Sequence, residues 1–276
     1  MEETQTIAAM PLYQNVHRID AELAAQGIAA SSNLTAEQLF PYDQYHYHGT
    51  AAVEAAVQRL RLGSHSRVLD VGAGLGGPAR YLAHTLGAHV TALELQQALH
   101  LQASRLTQRC GLARSIDHQC GDALTADFAP GRFDAVVSWL AILHIPERRR
   151  LLTRLRPALC RDGSLYIEDF CLLAPLNAAE ADAMRNTVHG VTLTTVADYA
   201  ADLEAAGFVD VQIDDPSAAW GAFCRQRAAF WRDDRARLIG IHGEADHALL
   251  DHFYKIMAAL FDGGRLGGIR IVARAP

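Results

Sequence analysis

Residues 67–86, RVLDVGAGLGGPARYLAHTL, join three textures of chain. Arg67-Val68-Leu69-Asp70-Val71 is a short, nearly continuous apolar run, the pattern of a strand buried on both faces. Gly72, Gly74, Gly76 and Gly77 follow. From Pro78 to Leu86 the apolar residues fall at helical spacing, with Pro at the start and Gly87 as the stop. Glycines between a strand and a helix let a ligand approach the backbone closely and take positive φ without a Cβ penalty. Helix-start amides point into the same space. The G-x-G-x-G spacing alone also fits dinucleotide sites. Asp70 is what separates the readings: a carboxylate directly before the loop repels a pyrophosphate, yet suits an ammonium group, if only through water.

Outward from this stretch the alternation continues. The pattern predicts strands over 89–95, 116–120, 133–139 and 164–170, with helices over 96–110 and 146–159. After a less regular stretch, 171–194, it predicts a helix over 196–206 and a strand over 209–213. Helical segments near 217–239 and 244–261 follow, then a glycine turn and a last strand over 269–273, placed to close the sheet antiparallel. The implied fold class is α/β: a seven-stranded, mostly parallel sheet with helices on both faces. Residues 1–62 read as an N-terminal helical cap or lid, and 63–276 as the main domain with an insertion at about 171–195.

Two further acids follow strand ends. Glu94 can accept both hydroxyls of a ribose, a placement NAD enzymes share. Asp122, in Gly121-Asp122-Ala123, can accept the exocyclic amine of adenine. Each alone also reads as an ordinary cap or loop acid. Asp70, Glu94 and Asp122 on three successive strand ends fit the ligand crevice of an open sheet.

Composition narrows the classes. Half of the 276 residues are hydrophobic, enough for a substantial core, and the net charge of −6 gives no electrostatic reason to expect nucleic acid. No apolar run is long enough to span a bilayer, and Met1-Glu2-Glu3 opens no secretory signal. The five cysteines form no C-x-x-C pair, which fits reduced thiols in a cytoplasmic chain.

The glycine loop and the three acids resemble the class I S-adenosylmethionine-dependent methyltransferases, over Arg67 to about Phe170. Within them, VLDVGAGLGGPARYL (68–82), SWLAILHI (138–145), VTLTTVADYAADL (191–203), YDQYHYHG (42–49) and the C-terminal GGIRIVARAP are similar to small-molecule N-methyltransferases of the phosphoethanolamine and sarcosine/dimethylglycine types. The resemblance implies a Rossmann-like fold and S-adenosylmethionine as cofactor, released as S-adenosylhomocysteine. It implies cofactor contacts from Asp70, Gly72, Gly74, Gly76, Glu94, Leu95, Asp122, Ala123, Trp139 and Tyr45, with the methionine ammonium near Asp70. No metal is implied; His46-x-His48 has no third ligand pattern.

On the acceptor side, His144 matches a histidine that the phosphoethanolamine enzymes use with a tyrosine to order the active site and handle the acceptor proton. An amine must be neutral to attack a sulfonium methyl, and a histidine of near-neutral pKa can take its proton. The alternative is a histidine packed at a helix start under Pro146. Tyr45 and His46 complete the catalytic candidates. If extended, residues 45–48 place Tyr45 and Tyr47 on one face and His46 and His48 on the other, and 40–49 reads as a mobile lid. The resembled family's phosphate-holding Arg and Tyr would fall near His189 and Val191, where neither type is kept, and Leu140 stands where an acid is expected. Arg185 and Arg225 are candidate carboxylate clamps. Trp139, Trp220, Phe223 and Trp231 line a wide pocket or fill the core, and His247 with Asp251 reads as a solvated helix face. The partner expected is a small-molecule methyl acceptor, most simply an amine. An O-, S- or C-methyltransferase with a larger acceptor, a regulatory protein and an NAD-dependent oxidoreductase stay open.

Overall fold

The structure, a computed structural model, describes residues 15–276. Its seven-stranded sheet has the order β3-β2-β1-β4-β5-β7-β6. These strands are β1 (Arg67–Val71), β2 (His89–Glu94), β3 (Ile116–Cys120), β4 (Phe133–Trp139), β5 (Leu159–Leu172), β6 (Val209–Asp214) and β7 (Leu266–Arg274). The first five run parallel, and β7 pairs antiparallel with both β5 and β6. The run read as a doubly buried strand is the centre of the sheet. Because side chains alternate, Val68 meets α3 (Thr50–Leu60) and α4 (Gly77–Leu86) through Val53, Val57, Ala79 and Leu82 on one face. Leu69 and Val71 face α6 (Arg148–Ala158) and α8 (Val196–Ala205) on the other, through Leu151, Leu155, Tyr199 and Leu203.

The chain leaves β1 toward β2 and β3, then returns to place β4 on the other side of β1. That reversal opens a crevice above the carboxyl ends of β1 and β4, the usual ligand position in such sheets. Ser138 Oγ donates to the Val71 carbonyl at 2.9 Å and ties the two strand ends together.

Before the sheet lie α1 (Arg18–Ala25), α2 (Ala36–Leu39) and α3. Ile19, Leu23, Leu34 and Leu39 bury themselves against Leu75 of the glycine loop and against Leu99 and Leu106 of α5 (Gln97–Arg109). Asp43 and Arg80 form a fully buried ion pair, with the Arg80 Nη2 2.8 Å from the carboxylate and 2.6 Å from the Leu75 carbonyl. Segment 40–49 is thus pinned to the loop and to α4. A buried guanidinium is tolerable only because its donors are used, and Arg80 also reaches Thr107 and the Ala103 carbonyl.

Several predicted elements shift. β5 begins at Leu159, before the expected 164, because Leu159 already pairs with Phe133 and a bulge follows before Ser164 meets Ala135. The last helices break at Asp234, giving α9 (Ser217–Asp233) and α10 (Arg235–Asp262); the gap expected before 244 is instead a kink inside α10 at Gly243, φ 83°. The alternation at 45–48 is not realised, since these residues form bends and turns and His48 takes φ 61°. Tyr47 therefore enters an aromatic core with Phe170, Trp220 and Phe261, whereas Tyr45 packs with the N-terminal cluster. The insertion after β5 holds α7 (Ala178–Ala183), capped by Asn177 and Glu180, and a π turn whose Met184 and Val188 join the same aromatic core. No helix among the described residues is long and apolar enough to cross a membrane.

Candidate active site

A cleft of about 1060 Å³ of non-protein space, its mouth included, opens over β1, β2 and β4. Asp70, Glu94 and Asp122 all line it, with Gly72, Gly74, Leu95, Ala123, Trp139, Tyr45, His46 and His144. Gly76 does not. A Cβ there would meet His118 at 2.9 Å and the Arg80 Nη1 at 3.1 Å, so this glycine serves helix packing behind the loop. Gly72 (φ 75°) is demanded by close approach, because a Cβ would lie 2.3 Å from that of Ala141.

The acids differ in what holds them. Glu94 is buried; its two oxygens accept the amides of Gly74 (2.9 Å) and Gln96 (2.8 Å), so it shapes the loop while each oxygen keeps a lone pair for a hydroxyl. Burial holds its pKa above the ordinary carboxylate value despite those amides. Asp70 is fully buried, and its Oδ2 has no partner among the described residues. Burial first, and the Glu94 charge second, push its pKa up to about 8. The Asp122 Oδ1 accepts the Leu124 amide at 2.8 Å, so it orders its turn as well as facing the cleft. Among the described residues no arginine or lysine lines this cleft.

A second cavity, about 1550 Å³ with its open mouth included, meets the first at Tyr45, His46, Leu140 and His144. Its walls include Tyr47, Phe170, Phe223, Phe253 and Tyr254. Leu140, where the sequence comparison led one to expect an acid, sits at the junction with φ 51°. His144 Nδ1 lies 2.9 Å from the His189 carbonyl, so the neutral ring is protonated there and carries its lone pair on Nε2. Burial lowers its pKa to about 4, below the near-neutral value expected from the sequence. His46 is also buried and lowered to about 4; its Nδ1 faces the Tyr47 carbonyl at 3.1 Å and its ring stacks on Trp139 with centroids 5.5 Å apart. The Trp139 Nε1 is buried without a partner among the described residues.

Other expectations are corrected. Arg185 and Arg225 are exposed and paired with Asp182 and Asp262, away from both cavities. His247 is buried and bonds the Trp231 carbonyl at 2.7 Å, so it belongs to the α9–α10 core rather than a solvated face. Trp220 and Trp231 are core, Trp139 lines the cleft and Phe223 lines the second cavity. His189 contributes its carbonyl rather than its ring, and Val191 is exposed. Sequence reasoning missed Asp43, Arg80, Arg18 and Arg227. The last two line the second cavity, and no spacing signal links α1 to α9.

With this geometry in view, the comparisons with known proteins agree. A family profile described as a methyltransferase domain matches residues 68–163. Phosphoethanolamine N-methyltransferase 1 of Triticum aestivum is 30% identical over 179 residues, which cover 65% of this chain and 35% of that protein. The phosphoethanolamine N-methyltransferase of Plasmodium falciparum is 26% identical over 205 residues, 74% of this chain and 76% of that one. The chain thus spans about a third of the wheat protein's length. Among solved structures, Haemonchus contortus phosphoethanolamine N-methyltransferase 2, in complex with phosphomonomethylethanolamine and S-adenosylhomocysteine, superposes with a TM-score of 0.81 at 18% identity, covering 95% of this chain and 58% of that one. Residues 68–163 thus match a methyltransferase domain, and the chain shares the fold of the Haemonchus contortus N-methyltransferase.

Proposed function

We propose that this chain is an S-adenosylmethionine-dependent methyltransferase acting on a small-molecule acceptor, with an amine nitrogen as nucleophile. The observation that carries this is Asp70: among the described residues it is a fully buried carboxyl group with a partnerless oxygen, beside a second buried acid, in a cleft that no arginine or lysine lines. Such a cleft asks for a cationic ligand and repels the pyrophosphate of a dinucleotide. The residues fit S-adenosylmethionine: Asp70 for its ammonium end, Glu94 for the ribose, Asp122 and Ala123 for the adenine, Trp139 and Tyr45 as covering rings. When bound, that cofactor supplies an electrophilic methyl group on a sulfonium; transfer leaves S-adenosylhomocysteine.

The chain's own residues then orient and enclose. Tyr45, His46, Leu140 and His144 line the junction where an acceptor in the second cavity meets the cofactor. Held through its Nδ1–H by the His189 carbonyl, His144 lines the junction and orients the acceptor there. That holds the nucleophile's lone pair in line with the methyl group. A group with pKa about 4 is too weak a base to strip an ammonium at neutral pH. The acceptor therefore arrives neutral, or loses its proton through water, and His144 aligns it. Residues 15–62 act as the cap in this reading, with 40–49 over the cofactor; residues 1–14 of the expected cap lie outside the described residues. A cytoplasmic setting accompanies it, consistent with five free cysteines. The aromatic walls of the second cavity favour one variant, a larger apolar acceptor offering oxygen, sulfur or carbon.

The test is calorimetric titration of the full chain with S-adenosylmethionine and S-adenosylhomocysteine. Transfer of labelled methyl to amine, phenol and thiol panels follows. Absence of binding to either nucleoside refutes the proposal; binding with label appearing only on oxygen, sulfur or carbon refutes the amine assignment.

A further inference from the structure

The two cavities that meet at His144 are lined by ionisable groups of opposite type. Apart from Asp43, which Arg80 neutralises, the cofactor cleft is lined by Asp70, Glu94 and Asp122 and, among the described residues, by no arginine or lysine. Among the described residues the second cavity is lined by Arg18 and Arg227 and by no aspartate or glutamate. Arg18 lies on α1 with its guanidinium carbon 5.0 Å from the Tyr45 ring centroid, one ring away from the junction. Arg227 lies on α9, 5.2 Å from the Tyr254 ring and 4.9 Å from that of Phe230. Among the described residues neither guanidinium has a carboxylate within 4.0 Å. Their neighbours behave differently: Arg225 pairs with Asp262, Arg232 with Asp233 and Arg237 with Asp234. Arg18 hydrogen-bonds the Tyr45 side chain, and both arginines, without a carboxylate partner among the described residues, are half-buried rather than simply solvated surface charges.

A guanidinium facing a partly dehydrated, ring-walled cavity gains most from a group that returns two charge-assisted hydrogen bonds, and an oxyanion is that group. A free ammonium compound would meet two like charges and no acid. The rings of Phe170, Phe223, Phe253 and Tyr254 match an apolar, flat body and give a short-chain amine little to bind.

We propose that the methyl acceptor is a bulky apolar anion: a ring-bearing or similarly extended molecule whose oxyanionic group is held by Arg18 and Arg227 while its nucleophilic atom reaches the Tyr45–His144 junction. This rests on the methyltransferase reading for the location of the reacting end. It adds the charge and size of the substrate, which the cofactor site does not determine. Arg18 and Arg227 are binding residues here; they take no part in the chemical step.

The probe pair is anilinonaphthalene sulfonate and its uncharged counterpart, N-phenyl-naphthylamine, titrated by fluorescence into the full chain saturated with S-adenosylhomocysteine. The sulfonate should bind, and Arg18→Gln and Arg227→Gln should each weaken it by about tenfold, while the neutral probe changes by less than about twofold. Arg227→Lys, which keeps the charge but loses the two-pronged fork, should bind the sulfonate with an affinity between those of wild type and Arg227→Gln. S-adenosylhomocysteine binding at wild-type strength in every variant confirms that each is folded. Sulfonate binding that is equal in all variants, or both probes weakening together, overturns the anion site. Failure of the wild-type chain to bind S-adenosylhomocysteine instead refutes the methyltransferase reading, and the probes titrated without the nucleoside still decide the anion site.

Discussion

Asp70→Asn should abolish a pH dependence of S-adenosylmethionine binding that the wild-type cleft imposes. Burial, then the neighbouring Glu94, pushes Asp70 up to about 8, so in the empty protein at neutral pH this carboxyl is protonated. A cationic ligand needs it ionised, and expelling the proton costs about 1.4 kcal/mol for each pH unit below 8. If the complex keeps Asp70 ionised, apparent affinity rises about 30-fold between pH 5.5 and 7, and about 0.9 proton is released per ligand at pH 7. Glu94, also raised, adds in the same direction. His46 and His144, held at about 4, stay neutral throughout and add nothing. Calorimetry in buffers of different ionisation enthalpy reads both quantities. The asparagine variant should bind more weakly at pH 7, with a flatter profile and little proton release. Wild-type affinity that is constant from pH 5.5 to 7, with no proton released, would refute the assignment of Asp70 to the cation.

The same group makes a stability prediction. Its folded pKa lies above its unfolded one, so the folded state holds the extra proton. The empty protein should lose stability as pH rises from about 4 to 8, Asp70→Asn should lose less, and saturating cofactor should offset the decline in melting temperature. Asp43→Ala strands the buried Arg80 and should cost about 3–5 kcal/mol by denaturant unfolding, whereas Asp43→Leu with Arg80→Met should cost less than the single change. Gly72→Ala drives a Cβ against Ala141 at a positive φ; cofactor affinity should fall and unfolding free energy drop by about 2–4 kcal/mol. His144→Gln should keep S-adenosylhomocysteine binding while kcat falls about 100-fold or more, and the wild-type rate profile should show no ionisation near 6.5 that belongs to this histidine. A wild-type limb at 6.5 that disappears in the variant would restore a general-base role.

What the sequence by itself determined was local and periodic. Val68 to Leu86 specified a strand, a glycine turn and a helix because buried strands, positive φ and helix starts each demand particular residues in a fixed order. The spacing of 89–95, 116–120 and 133–139 then ordered the parallel strands and put Asp70, Glu94 and Asp122 at neighbouring ends, and all three line one cleft. Contacts between distant segments were decided only by the tertiary structure. Nothing near Asp43 announces Arg80, and nothing in α1 announces that Arg18 shares a cavity wall with Arg227. Burial, too, is a property of the assembled chain: it turns His247 inward, seats Gly76 behind the loop rather than in the cleft, lowers His144 to about 4 and raises Asp70 to about 8. Residue type and spacing fix which backbone conformations are affordable. The solvent each side chain loses, and hence its charge and chemistry, depends on what the rest of the fold brings against it.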